Sequence, residues 1–242
     1  HRGEIKNITW NPDGTKLVSA GVDGTAIIWG NGSILRMLFG HTDIVNYASW
    51  NSDGSLIATV GNDMKVMVWD SNTGELRHLL QGHTDKVVHL SWSPDGNFLA
   101  TAGEDESAIV WDWKNDSLLY FYGGHNGWVR WLAWSPDGDI IATGGGDKKI
   151  KLWSAKNGVF QKTLIGHKEL VNHISWSPSG TVIASGSLDY SVIVWDSKSG
   201  NLIRTFNGHT GGVYCTSWRP DGTYLATTGA DGNLFIWDVV TG

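Results

Sequence analysis

The sequence has little of what several functional classes depend on. Its 242 residues include one cysteine, Cys215, and five prolines. A single cysteine can neither close a disulfide within the chain nor supply a cluster of thiolate ligands, which excludes a disulfide scaffold and a cysteine-based zinc site. We expect Cys215 to be an unreactive thiol in the core. We also expect a cytoplasmic, intracellular protein, with the nucleus as the alternative location.

The chain also lacks a surplus of basic residues and any long apolar run. Its 24 Asp and Glu residues outnumber its 18 Lys and Arg residues, which gives a formal net charge of −6. A nucleic-acid-binding protein normally presents a basic face, and a membrane-spanning helix needs about 20 consecutive apolar residues. We therefore expect neither a nucleic-acid partner nor an association with a membrane.

Tryptophan and glycine, by contrast, are abundant, with 15 and 32 residues. Gly-His pairs recur every 42 residues and end at His41, His83, His125, His167 and His209. Two tryptophan series keep a spacing of 19 residues within each unit: Trp10, Trp50, Trp92, Trp134, Trp176 and Trp218, followed by Trp29, Trp69, Trp111, Trp153, Trp195 and Trp237. The periodicity predicts one domain of six repeats, at residues 1–40, 41–82, 83–124, 125–166, 167–208 and 209–242.

The sequence of each repeat predicts four short strands. In residues 83–124, turn residues such as Ser93-Pro94-Asp95-Gly96 separate the predicted strands, which are Val87–Trp92, Phe98–Ala102, Ala108–Trp111 and Leu118–Tyr122. A small antiparallel sheet of this kind becomes stable when neighbouring sheets cover its faces. The pattern predicts an all-β propeller of four-stranded antiparallel blades, with the first-strand tryptophan filling the wedge between blades.

With its Gly-His pairs and its Trp-Asp pairs at residues 69–70, 111–112, 195–196 and 237–238, the sequence resembles the WD-repeat family over essentially its whole length. Two repeats depart from the family pattern, with Trp29-Gly30 and Trp153-Ser154. The resemblance implies a buried, hydrogen-bonded tetrad of His, Ser or Thr, Asp and Trp in each repeat. The matching positions are His1, Ser19, Asp23 and Trp29; His41, Thr59, Asp63 and Trp69; His83, Thr101, Asp105 and Trp111; His125, Thr143, Asp147 and Trp153; His167, Ser185, Asp189 and Trp195; and His209, Thr227, Asp231 and Trp237.

The tetrad also looks like a Ser-His-Asp catalytic triad, but we interpret it as structural. One small domain has no use for six identical active sites, and a hydroxyl that accepts from an indole N–H is no free nucleophile. His78, His89 and His173 lie outside the tetrads and lack further metal ligands, so they are predicted to lie in the core or on the channel wall. The run Gly144–Gly146 occupies the turn before Asp147 and lacks the strand-to-helix context of a phosphate loop. We expect no catalytic residue, no metal and no cofactor, and we favour a protein over a small-molecule ligand.

In the WD-repeat family, partners usually dock on the face formed by the loop before the first strand and the loop between the second and third strands. Three positions per repeat on this face vary within the chain while the tetrads stay constant, as specificity requires. The predicted partner-binding residues are Ile44, Lys86, Trp128, Arg130, Leu170, Leu188 and Tyr214, with Lys148 and Tyr190 as weaker candidates.

The predicted function is a scaffold that binds another protein or a peptide at this face. One alternative is a sensor or oligomerisation module of a larger protein, and another is an enzyme with an axial active site. The alternative role for Trp128 is structural: its side chain would cover Trp131 or a neighbouring loop.

The sixth repeat reaches Gly242, which aligns with Gly200, before a fourth strand. The sequence therefore predicts 23 strands. They would form either a six-bladed ring whose last blade has three strands or part of a seven-bladed propeller.

Overall fold

A computed structural model describes residues 1–241 of the chain. Short antiparallel strands joined by tight turns make up nearly all of it, and the helical structure in this range is a single 3-10 turn at Trp113–Asn115. The strands form six sheets, one per repeat, which we call blades 1 to 6. The blades belong to two compact units, His1–Gly123 (unit 1) and Gly124–Gly242 (unit 2).

Unit 1 contains blades 1 to 3, and in each of them the strands pair in chain order. Blade 1 consists of β1 (Ile5–Trp10), β2 (Lys16–Gly21), β3 (Thr25–Gly30) and β4 (Ser33–Phe39). Blade 2 consists of β5 (Val45–Trp50), β6 (Leu56–Gly61), β7 (Val66–Asp70) and β8 (Leu76–Leu80). Blade 3 consists of β9 (Val87–Trp92), β10 (Leu99–Gly103), β11 (Ala108–Asp112) and β12 (Ser117–Tyr122).

Unit 2 contains blades 4 to 6. Blade 4 consists of β13 (Val129–Trp134), β14 (Ile140–Gly145), β15 (Lys149–Ser154) and β16 (Phe160–Ile165). Blade 5 consists of β17 (Val171–Trp176), β18 (Val182–Ser187), β19 (Ser191–Asp196) and β20 (Leu202–Asn207). Blade 6 consists of β21 (Val213–Trp218), β22 (Tyr224–Gly229) and β23 (Leu234–Asp238).

The prediction of an all-β fold made of antiparallel propeller blades is confirmed. Residues 1–241 contain 23 strands, the number that the repeat pattern predicts. In blade 3 the first strand has the predicted bounds, and the second begins at Leu99 instead of Phe98. The sequence did not predict the 3-10 turn after β11, because residues Asp112 to Ser117 indicate only a turn of unspecified type.

Within each unit, adjacent blades pack through their first strands. Trp50 of β5 is buried against Val18, Ala26 and Ile28 of blade 1. Its indole Nε1 donates to the main-chain oxygen of Thr9 in β1, at 3.2 Å. Trp92, Trp176 and Trp218 repeat this bond to the preceding blade at 3.1–3.2 Å. The first tryptophan of these repeats therefore fills the wedge between blades.

Candidate partner-binding face

The tetrad of blade 3 shows how the residue types fit together. His83 Nδ1 lies 2.8 Å from Asp105 Oδ2, and His83 Nε2 lies 2.7 Å from Thr101 Oγ1. Trp111 Nε1 donates to the same hydroxyl oxygen at 2.8 Å. A carboxylate only accepts, so Nδ1 carries the proton and Nε2 accepts from the Thr101 hydroxyl. The hydroxyl is thus fully used, which leaves no nucleophile at the tetrad.

The same three contacts occur in all six blades, and every tetrad position named above takes part. The shortest distance from Nδ1 to a carboxylate oxygen is 2.8–3.0 Å in each blade. The distance from Nε2 to the hydroxyl oxygen is 2.7–2.9 Å, and that from the indole nitrogen is also 2.7–2.9 Å. The tetrad therefore fixes two loops on one rim of each blade, which we call the tetrad rim.

The tetrad aspartate has further partners that the sequence did not reveal. Asp105 Oδ2 accepts the backbone N–H of Thr84 at 2.9 Å, and Oδ1 accepts both the N–H and the hydroxyl of Ser107. Burial by itself would raise the pKa of Asp105, but the hydrogen bonds from His83, Ser107 and Thr84 outweigh it and hold the pKa at about 2. The Asp105 carboxylate is therefore ionised at neutral pH, and the hydrogen bonds that it accepts give it a structural role.

A backbone hydrogen bond joins the two rim loops above each tetrad. In blade 4 the N–H of Gly146 donates to the oxygen of Trp128 at 2.8 Å. The equivalent bond is present in all six blades, at 2.8–3.0 Å. Its acceptors are Glu4, Ile44, Lys86, Trp128, Leu170 and Gly212, and its donors are Val22, Asn62, Glu104, Gly146, Leu188 and Ala230. Two of the three variable positions in each blade are therefore adjacent.

The third variable position is a β-bulge in every blade. The register between the first and second strands shifts across Lys6, Asn46, Val88, Arg130, Asn172 and Tyr214. A bulge leaves one residue unpaired in the ladder and redirects its side chain. Asn172 uses this freedom to donate to the oxygen of Val213 in blade 6, at 3.2 Å. The bulge explains why this position varies inside a strand.

Five of the candidate residues lie on the tetrad rim of unit 2. Trp128 and Tyr214 are 52% and 55% exposed, and Leu188 is also exposed. Arg130 is exposed and its Nε donates to Asn172 Oδ1 at 3.4 Å, whereas Leu170 is half-buried. Tyr190, one of the weaker candidates, is 52% exposed on the same rim.

Leu188 reaches over the next blade. A Cβ atom on Gly212 would lie 2.6 Å from Leu188 Cδ2, so the glycine makes room for the leucine side chain. Trp131 has a different setting from Trp128: it is half-buried, and its ring lies 4.1 Å from the ring of His173.

The two remaining candidates lie on the corresponding rim of unit 1. Ile44 is half-buried, and Lys86 pairs with Glu104 at 3.4 Å. The two side chains of this ion pair occupy adjacent variable positions. The positive charge of Lys86 is therefore already paired with a negative charge within its own blade.

The residue after each tetrad aspartate has a left-handed backbone. Blades 1 and 6 have Gly24 and Gly232 there, each with φ of 75°. The other four blades have side chains at this position: Met64, Glu106, Lys148 and Tyr190, with φ between 64° and 72°. Non-glycine residues are uncommon in this conformation, and bulky ones are rare.

Charge is distributed unevenly between the units. Unit 1 has eight Lys and Arg against fifteen Asp and Glu, whereas unit 2 has ten against nine. On the tetrad rim of unit 2, Lys148 pairs with Glu169 at 3.1 Å, and Arg130 and Lys168 add further positive charge. The carboxylates of Asp147, Asp189 and Asp231 are buried beneath this surface, with side chains 4–8% exposed. Among the exposed side chains of this rim, positive charges therefore outnumber negative ones, so the net charge of the whole chain conceals a basic rim surface.

Three expectations from the sequence are wrong about position. Cys215 is exposed, although its Sγ lies 3.7 Å from His173 Nε2 and partial burial raises the pKa of its thiol. His78 lies on the outer strand β8, where its Nδ1 is 2.7 Å from Asp116 Oδ1. Gly144 and Gly145 end strand β14 instead of forming a turn, and a Cβ atom on Gly145 would lie 1.8 Å from the oxygen of Trp128.

The other two histidines outside the tetrads lie between neighbouring first strands. His89 is buried, and its ring meets that of Tyr47 edge-on at 4.4 Å. Burial lowers the pKa of His173 to about 4, so this histidine is neutral at physiological pH.

Within residues 1–241, no three His, Cys, Asp or Glu side chains are grouped closely enough to hold a metal ion. Over the same residues, no helix combines the length and the apolar character required to cross a bilayer.

Comparison with known proteins places these features in a family. The model of the WD domain, G-beta repeat, matches six times, at residues 1–30, 32–70, 74–112, 116–154, 158–196 and 200–238. No individual curated protein matches the chain. Each match ends next to the tryptophan of a tetrad, so the family model and the hydrogen-bonded geometry describe the same repeat. The chain belongs to the WD-repeat family.

Proposed function

We propose that the protein is a binding scaffold without catalytic activity, and that the tetrad rim of unit 2 takes an extended acidic peptide or loop of another protein. The observation that supports this most is the cluster of exposed side chains on that rim: Trp128, Leu188, Tyr190 and Tyr214. Trp, Tyr and Arg contribute most to binding energy at protein interfaces. WD repeats typically mediate interactions between proteins, which supports a binding function without specifying the ligand or the rim.

The acidic character of the ligand follows from the charges around this cluster. Arg130, Lys148 and Lys168 lie on the rim, with Glu169 as the acidic residue outside the tetrads. An acidic ligand would complement this rim, whereas on the rim of unit 1 the acidic residues outnumber the basic ones and oppose it: Glu4, Asp43, Asp85, Glu104 and Glu106 against Arg2, Lys6, Lys65 and Lys86. We therefore place the ligand on unit 2.

The peptide is expected to be extended because the rim is a series of short loops. The first strands of blades 4 to 6 lie side by side, and each contributes one bulge residue: Arg130, Asn172 and Tyr214. Successive side chains of an extended ligand can meet successive blades of such a series.

A peptide-display selection with the purified chain tests the proposal. A library of random peptides is selected on the wild-type protein, and the enriched peptides are measured by calorimetry. We expect enrichment of Asp and Glu around an apolar anchor. The double variant Trp128→Ala with Arg130→Ala should lose about 2 kcal/mol or more of binding free energy. Its melting temperature should stay near that of the wild type, since both side chains are exposed.

The matched control is Met64→Ala with Lys65→Ala on the rim of unit 1, which should bind as the wild type does. If the selected peptides are not acidic, or if the two double variants weaken binding equally, the assignment to unit 2 is wrong. Tighter binding of single-stranded nucleic acid than of any selected peptide would overturn the proposed ligand class.

A further inference from the structure

One asparagine side chain links the first strands of the three blades of unit 2. Asn172 is the bulge residue of β17 in blade 5 and is half-buried. Its Nδ2 donates to the main-chain oxygen of Val213 in blade 6 at 3.2 Å. Its Oδ1 accepts from Arg130 Nε in blade 4 at 3.4 Å. The Asn172 amide therefore bridges blade 4 and blade 6.

The two contacts require one orientation of this amide. A main-chain oxygen only accepts, so the amide must present Nδ2 to Val213. The amide oxygen is then directed at Arg130, whose guanidinium carries only donors. Val213 is fully buried in its strand, which makes its main-chain oxygen a fixed anchor. Because a guanidinium is planar, a contact at Nε restricts both its direction and its plane.

Unit 1 contains the same pattern with a different outcome. Its bulge residues are Lys6, Asn46 and Val88, and Asn46 Nδ2 donates to the main-chain oxygen of Val87 at 2.9 Å. The basic residue of this series, Lys6, pairs with Glu4 of its own blade at 3.1 Å. In unit 1 the bulge cation is thus held by a carboxylate, whereas in unit 2 it is held by an amide.

The residue before the first strand accounts for this difference. Trp128 of blade 4 occupies the position of Glu4 in blade 1, so an exposed indole replaces the carboxylate. Asn172 is neutral, and it therefore orients the Arg130 guanidinium without cancelling its charge. An oriented cation two residues from an exposed aromatic side chain suits a ligand that carries a carboxylate beside an apolar group.

We propose that Asn172 is a positioning residue of the ligand site on the rim of unit 2, and that the guanidinium it orients selects a carboxylate side chain of the ligand over the corresponding amide. The inference rests on the proposed function, since it concerns the same rim and the same acidic ligand. Paired hydrogen bonds between a guanidinium and a carboxylate depend on a shared plane, and their charge makes them stronger than bonds to a neutral amide. Without Asn172 the guanidinium can rotate, and this selectivity is lost.

The selectivity can be measured directly on the peptides enriched by display. Each Asp or Glu of one peptide is replaced in turn by Asn or Gln, and the ratio of the two affinities, the acid–amide ratio, is measured by calorimetry. At one ligand position the wild-type protein should favour the carboxylate by roughly tenfold or more. Asn172→Ala should lower this ratio by about fivefold, the equivalent of one hydrogen bond.

Two further variants separate orientation from charge. Arg130→Lys keeps the positive charge but loses the planar donor set, so the acid–amide ratio should fall as it does in Asn172→Ala. Adding Asn172→Ala to Arg130→Lys should lower the ratio no further, because the two residues act as one unit. Asn172→Asp places a negative charge beside the guanidinium, which competes with the ligand, and should weaken acidic-peptide binding at least as much as Asn172→Ala does.

Asn46→Ala is the matched control, because it removes the equivalent bond to Val87 in unit 1. Both alanine variants should melt at a lower temperature than the wild type, since each loses a hydrogen bond between blades. Only Asn172→Ala should change the acid–amide ratio. A purely structural role for Asn172 would leave the ratio unchanged in both variants.

The result that overturns this inference differs from the result that overturns the proposed function. If Arg130→Ala lowers the acid–amide ratio and Asn172→Ala does not, Asn172 has no positioning role, while the acidic ligand and its rim stand. Additive losses in Arg130→Lys and Asn172→Ala would contradict the coupling in the same way. If no acidic peptide is enriched, or if Arg130→Ala binds as the wild type does, the proposed function and this inference both fail.

Discussion

At the scale of single residues, Tyr190 holds a backbone conformation that tyrosine disfavours. Its φ is 72°, while Gly24 and Gly232 occupy the equivalent positions of blades 1 and 6. The left-handed conformation costs a residue with a side chain about 1–2 kcal/mol. An observed strain of this kind is grounds for a functional hypothesis, and Tyr190 is also half exposed on the proposed binding rim.

Replacing Tyr190 with glycine should therefore separate stability from binding. We expect Tyr190→Gly to raise the free energy of unfolding by about 1 kcal/mol, since the relieved strain exceeds the extra entropy of glycine in the unfolded chain. The same variant should bind the selected acidic peptides less tightly. Urea denaturation and calorimetry measure the two effects. Met64→Gly relieves the same strain in unit 1 and should leave binding unchanged, so equal binding by both variants would remove Tyr190 from the site.

Asp105 should be needed for the stability of its blade. Asp105→Ala leaves the ring N–H of His83 and the backbone N–H of Thr84 without an acceptor, which should cost about 1–3 kcal/mol. Asp85→Ala is the control, because Asp85 is exposed in the same blade, where its side chain accepts the N–H of the neighbouring Lys86. Equal unfolding midpoints for the two variants would refute a structural role of the tetrad.

The contribution of Asp105 should also depend on pH in a defined direction. Its pKa is about 2 in the folded protein, compared with an ordinary value of 3.8. The stabilisation is therefore complete above the ordinary value and is lost as the pH falls towards 2. The difference in unfolding free energy between the wild type and Asp105→Asn should be constant from about pH 7 to about pH 5 and shrink below about pH 4. A difference that grows on acidification would contradict this assignment.

At the scale of strands and loops, the sequence predicts where strands lie but not how they are registered. Turn residues such as Ser93 to Gly96 punctuate the chain at fixed intervals, so β9 could be placed to the residue. The bulge at Arg130 leaves no comparable signal, because it depends on which residue of β13 faces which residue of β14. The variation at this position was visible in the sequence, whereas its cause was not.

Gly145 offers a test of how the rim loop of blade 4 is held. A Cβ atom there would lie 1.8 Å from the oxygen of Trp128, so the strand end or the Trp128 loop must move. Gly145→Ala should cost about 3 kcal/mol and weaken peptide binding. Ser187 occupies the equivalent position of blade 5, and Ser187→Ala should cost only about 1 kcal/mol, through loss of the bond from its hydroxyl to the oxygen of Glu169. Chemical denaturation measures the unfolding free energy of both alanine variants. A smaller loss of unfolding free energy for Gly145→Ala than for Ser187→Ala would contradict the packing described.

At the scale of the whole molecule, the sequence periodicity predicted the number of blades, whereas the overall composition gave a wrong expectation of how surface charge is distributed. The agreeing series of histidines and tryptophans allowed only six repeats. The net charge of −6, by contrast, suggested an evenly acidic surface, because it sums an acidic unit 1 with a nearly neutral unit 2. The exposure of Cys215 and Ile236 was likewise hidden, since a repeat pattern assigns the same buried environment to every blade.

The basic rim of unit 2 should make peptide binding sensitive to salt. The screening length falls from about 10 Å at 0.1 M to about 3 Å at 1 M ionic strength, so contacts between exposed charges weaken. With two or three such contacts, each worth up to about 1 kcal/mol, the affinity for an acidic peptide should fall by roughly tenfold over this range. Arg130→Ala with Lys168→Ala should flatten the dependence, because it removes the charges that salt screens. Lys65→Ala removes a charge from the rim of unit 1 and should leave the slope as it is. Calorimetric titrations at several salt concentrations give the slopes, and an equal slope for the wild type and the double variant would mean that the ligand is recognised by its apolar side chains alone.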